Sequence, residues 1–243
     1  MANWSDPRVL DASSVNADTQ SAAFDAGLRS YMLSVYNYMA SGILLTGVVA
    51  MLFAGSSIGQ SIMIGGGIMR WVIIFAPLIM IFTMSAGVNR MSTTALQGFF
   101  WGFATVMGLS MSTIFFVYTN ESIAQTFFAT AAAFAGLSLY GYTTKRSLSG
   151  MGTFLIMGVV GLIVASIINI FLQSSALYWV ISSLGVLIFA GLTAYDTQKI
   201  KSMYSYVAGT DMMGKTAIMG ALNLYLDFIN MFQFLLSFMG SRD

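Results

Sequence analysis

The run MGTFLIMGVVGLIVASIINIFL, residues 151–172, carries no charged side chain. A helix of roughly 20 apolar residues crosses the ~30 Å of hydrocarbon in a bilayer, so this run reads as a membrane span. Six further runs of the same kind lie at 31–55, 69–88, 95–118, 122–142, 177–195 and 216–238, each bounded by charged or turn residues. Backbone polar groups in hydrocarbon must be paired within the segment, which selects helices. The expected fold is therefore an all-α integral membrane protein with seven transmembrane helices.

Composition agrees with that reading, since 57% of the 243 residues are hydrophobic and 8% charged, against about a quarter charged in soluble domains. The net charge of +1 and the scattered basic residues exclude a nucleic-acid-binding face. There is no cysteine for thiolate chemistry, and no histidine to serve as a proton switch near neutrality or as a serine-protease base. No nucleotide-cradling Gly-rich loop occurs, and the lysines all fall outside the expected spans, in segments expected as cytoplasmic loops, so none is placed to hold a retinal Schiff base. No cofactor is expected. The 19 methionines, unaccompanied by cysteine or histidine, read as packing rather than as soft-metal ligands.

Residues 1–28 are polar, include Asp6, Asp11, Asp18 and Asp25, and lack the basic start and apolar core of a secretory signal. They read as a disordered cytoplasmic tail ahead of a transmembrane domain at 29–240 and a short external end at 241–243. With the amino terminus inside, Arg8, Arg29, Arg90, Lys145, Arg146, Lys199, Lys201 and Lys215 are cytoplasmic. Only Arg70 and Arg242 are then outside, as the positive-inside rule favours. Gly98 and Gly102 form a small-xxx-small step for close packing of the third span, and Pro77 removes a backbone donor from the second.

Two acids fall at or inside spans. Asp196 lies at the inner end of the sixth, directly after Tyr195, and Asp227 lies roughly 16 Å along the seventh at 1.5 Å per residue. Asn223, Asn230 and Ser237 share the face of Asp227, extended by Gly220 and Thr216, while Thr193 and Ser182 share that of Asp196. A polar stripe must face protein or a wet cavity, so the two stripes are able to meet. An intramembrane acid is a functional hypothesis, here a facing pair that shares a proton. The plainer reading is that each aspartate only hydrogen-bonds a neighbouring helix, with Asp196 beside Lys199 at the interface.

The segments Gly191-Leu-Thr-Ala-Tyr-Asp-Thr-Gln-Lys-Ile-Lys201 and Ala221-Leu-Asn-Leu-Tyr-Leu-Asp-Phe-Ile-Asn230 strongly resemble the Bax inhibitor-1, or transmembrane BAX inhibitor motif, family. Tyr140-Gly-Tyr-Thr-Thr-Lys-Arg-Ser-Leu-Ser149 and Arg29-Ser-Tyr-Met-Leu-Ser-Val-Tyr-Asn-Tyr-Met39 are similar to its bacterial inner-membrane branch. The resemblance implies a seven-helix bundle with the last helix central, acting as a pH-sensitive calcium leak pathway. Its sensor would be Asp196 and Asp227, which would also be the transient contact for calcium. A family arginine that engages the pair in one state is matched by Arg90. Some relatives carry an acid within the second span, but none lies between Arg70 and Arg90, so a gating scheme relying on it does not transfer.

The expected partners are thus the lipid bilayer, calcium and protons. The alternative is a non-conducting interaction protein that modulates a membrane protease, which is also suggested for relatives. An intramembrane aspartyl protease is disfavoured, because Leu224-Tyr-Leu-Asp227 lacks the glycines of a Gly-x-Gly-Asp motif and no proline follows Pro77.

Overall fold

The computed structural model describes residues 7–241, with side chains from Ala22 onward. Within that range every regular element is helical: α1 (Pro7–Gly55), α2 (Ser57–Gly65), α3 (Ile68–Gly87), α4 (Thr93–Met111), α5 (Asn120–Thr143), α6 (Ser149–Leu172), α7 (Ser175–Val207) and α8 (Met212–Met239). A 3-10 segment, Ser112–Phe116, extends α4. Seven helices are long and apolar enough to span a bilayer, each overlapping one of the seven expected runs.

Helix α8 is the centre of the bundle. It packs against α7 most extensively, and also against α1, α4 and α5. Leu222, Leu224, Tyr225, Phe228, Ile229, Met231 and Phe232 bury its opposite faces, as expected of a helix enclosed on every side. By contrast, α6 leaves Phe154, Met157, Ile163 and Phe171 exposed, and α3 leaves Trp71, Phe75, Ile79 and Phe82 exposed. In a bilayer these are the lipid-facing surfaces.

Three expectations are revised. Residues 7–28, expected as a disordered tail, continue α1, with Pro7 at the first helical position where its missing N–H is not needed. Met1–Asp6 and the terminal Arg242 and Asp243 lie outside the described residues. From Phe24 on, the extension has a partner. Phe24 and Tyr31 place their rings 5.0 and 5.4 Å from that of Tyr204. A side chain on Gly27 between them would collide with the Tyr204 hydroxyl.

The sixth span, expected to end at Tyr195, runs on to Val207. The segment 196–207 holds no glycine or proline, and Ile200 and Tyr204 bury one face at i, i+4 spacing. Asp196 consequently sits in the body of α7 rather than at its end. The reversal into α8 is made at Gly209, whose φ of 74° lies in the left-handed region.

Finally, Gly98 and Gly102 are not where helices touch most closely. A Cβ on Gly98 would meet nothing within 4 Å, and one on Gly102 only the methyl end of Met80 at 3.6 Å. Gly98 is exposed, on the side of α4 opposite the buried Leu96, Phe100 and Phe103. The close approaches fall instead at Gly141, which faces the backbone of Ala194 in α7, and at Gly108, whose Cβ would lie 2.7 Å from the Thr46 carbonyl in α1.

Candidate functional site: two aspartates between the last helices

The contact between α7 and α8 brings Asp196 and Asp227 together, with their side chains within hydrogen-bonding reach of one another. Asp227 is 4% exposed and Asp196 half-buried. The Oδ2 atom of Asp227 is buried and receives no hydrogen bond from a donor among the described residues. A carboxylate so enclosed is costly unless paired, so the opposing carboxyl group is the partner that matters.

Three other polar residues of the stripes bond within their own helices, while Gly220 of α8 lets the side chain of Ile200 in α7 come close. Thr193 is fully buried and donates to the Phe189 carbonyl of its own helix at 2.8 Å. Ser182 donates to the Tyr178 carbonyl at 2.9 Å. The Asn230 amide turns back on Leu226 O at 2.8 Å, and Asn223 stands half-buried one turn before Asp227.

Arg90 is exposed in the turn after α3, its backbone N–H bonded to the Gly87 carbonyl. A nearer cation in sequence is Lys199, one turn along α7 from Asp196, whose Nζ lies 5.9 Å from the Tyr195 ring centre.

Around the pair, each residue of the 195–201 motif has a distinct task. The Tyr195 ring occupies the space that a side chain on Gly152 of α6 would need. Gln198 fastens the α5–α6 connection from both directions, accepting from the Leu148 N–H at 2.8 Å and donating to the Arg146 carbonyl at 2.9 Å. Lys201 caps α5 by donating to the Tyr142 carbonyl at 2.8 Å, with its ammonium 4.8 Å from that residue's ring centre.

Thr197 ends a chain of hydroxyls across three helices. Its own proton goes to the Thr193 carbonyl at 2.7 Å, and a hydroxyl has one proton to give. Ser138 therefore donates to Thr197 at 3.0 Å, and Tyr36 donates to Ser138 at 2.6 Å. The same reasoning orients a second buried node: Thr46 donates to the Ala104 carbonyl at 2.8 Å, so Tyr225 donates to Thr46 at 2.6 Å.

Neither network was among the sequence expectations. Thr46 and Ser138 appear in the sequence as polar residues in apolar runs, and Tyr36 as one of several polar residues between Ser34 and Ser41. Their need for a partner was legible, but the partner was not.

A family model described as Inhibitor of apoptosis-promoting Bax1 matches residues 28–243. The protein RP147 of Rickettsia prowazekii is 47% identical over 92% of the chain and 94% of its own length. A protein of Caulobacter vibrioides is 45% identical, covering 95% and 96% respectively. The inner membrane protein YbhL of Escherichia coli K12 is 43% identical over 89% of the chain and 94% of its own length.

Proposed function

We propose, for a chain that belongs to the family of inhibitors of apoptosis-promoting Bax1, that it is a pH-sensitive calcium leak pathway gated by Asp196 and Asp227. We assign it to the bacterial inner membrane, the location named for the Escherichia coli relative, with its amino terminus in the cytoplasm and its carboxyl terminus outside. The observation that carries the reading is the meeting of two carboxyl groups across the interface between the central helix and its main neighbour.

The chemistry follows from what two carboxyl groups can do at that distance. With one proton between them, one oxygen donates to the other and clasps α7 to α8. Without it, two carboxylates about 4 Å apart repel by ~4 kcal/mol at an effective dielectric near 20. That repulsion favours separation of the helices, with Lys199 as the cation beside Asp196. The freed oxygens are hard ligands suited to calcium. Among the described residues no three acids, histidines or cysteines gather. Since calcium takes six to eight oxygens, the pair suits an ion in transit, with water supplying the remainder.

The test is calcium flux into dye-loaded liposomes as a function of pH. Asp196→Asn and Asp227→Asn should each flatten the pH response, because an amide neither gains nor loses the proton. A profile unchanged in both variants discards the gate. Vesicles inert to calcium at every pH favour the non-conducting interaction protein.

A further inference from the structure

Between α1 and α5 lies a cavity of about 480 Å³, within the range of small-molecule sites, and its composition changes along its length. Leu33, Phe134 and Leu139 form apolar walls, with Leu33 and Leu139 about half or more exposed toward the bundle's surroundings. Arg29 stands at one end, exposed and without an ion pair among the described residues. Tyr36 and Ser138, the first two members of the hydroxyl chain that ends at Thr197, line the same cavity.

We propose that this groove binds an anionic phospholipid, its phosphate on Arg29 and an acyl chain along Leu33, Phe134 and Leu139. Both walls belong to helices that span the membrane, so the medium beside the opening is lipid. An apolar trough opening onto lipid and ending at an unpaired guanidinium matches an amphiphile with one anionic end. A guanidinium also offers a phosphate two parallel donors in a fixed fork. A lipid seated here stands beside the Tyr36–Ser138–Thr197 chain, and Thr197 is the residue next to Asp196. The inference does not depend on conduction, because its readout is binding.

The experiment is native mass spectrometry of the full chain in detergent, titrated with phosphatidylglycerol or phosphatidylcholine of matched chains. Wild type should retain phosphatidylglycerol in preference. Arg29→Gln should reduce that preference about fivefold, the effect of one basic residue at an anionic lipid, while Arg90→Gln, outside the groove, leaves it intact. Leu139→Trp, at an exposed position where folding is not at stake, should fill the trough and lower retention of both lipids. Equal retention of the two lipids by wild type, an unchanged preference in Arg29→Gln, or unchanged retention in Leu139→Trp would each overturn the proposal. Displacement by inorganic phosphate alone would do so too, since it would assign the cation to a soluble anion.

Discussion

Asp196 and Asp227 stand out by cost, because an acid within a span demands a partner, and by the family resemblance, and the structure makes each the neighbour of the other. If they act as one titrating unit, their substitutions will not add. The pH response of Asp196→Asn/Asp227→Asn should match that of either single variant, and a double variant distinctly flatter than both would mean independent sites. A second residue-scale prediction concerns Thr46. Thr46→Val keeps the shape but removes the acceptor for Tyr225 and the donor to Ala104 O. Membrane-buried hydrogen bonds average ~0.6 and reach ~1.7 kcal/mol, so a loss of about that size is expected in equilibrium unfolding from mixed micelles. Tyr225→Phe should cost a similar amount, and the two losses should be strongly non-additive.

At the level of elements, the glycines separate two roles that look alike in the sequence. Gly141 lets α5 approach the Ala194 backbone of α7, next to the candidate gate, and a backbone obstacle cannot rotate away. Gly141→Ala should therefore destabilise by about 1–3 kcal/mol, the usual cost of overpacking. Gly98→Ala meets open space and gains helix propensity, so it should leave thermal stability in detergent unchanged or slightly raised. Equal melting temperatures for the two variants would contradict this assignment of close contact. The long α7 has its own consequence, since its extension through Gln198 and Lys201 anchors the α5–α6 connection. Gln198→Ala should speed hydrogen exchange at the Leu148 amide while leaving the core of α8 protected.

For the whole molecule, the excess of lysine and arginine on one side of the seven spans predicts, by the positive-inside rule, an amino terminus in the cytoplasm and a carboxyl terminus outside. A carboxyl-terminal alkaline phosphatase fusion should be active and a fluorescent-protein fusion dark; the reverse pattern would invert the topology. The number of spans and their approximate limits were legible because hydrophobic length is a local property, written in consecutive residues. The two acids were legible for the same reason, since a charge among apolar neighbours is conspicuous wherever it falls. Other features needed the folded bundle. That Gly98 faces outward while Gly141 receives a neighbouring helix depends on how each helix is rotated, which many apolar residues satisfy about equally well. The pairing of Tyr36 with Ser138 and of Thr46 with Tyr225 depends on partners 102 and 179 residues apart. Sequence alone thus determined what must be kept from water and which polar groups would need company. Tertiary structure decided which groups keep company with which, because burial is a demand that each residue carries with it, whereas contact is a relation that exists only once the helices have packed.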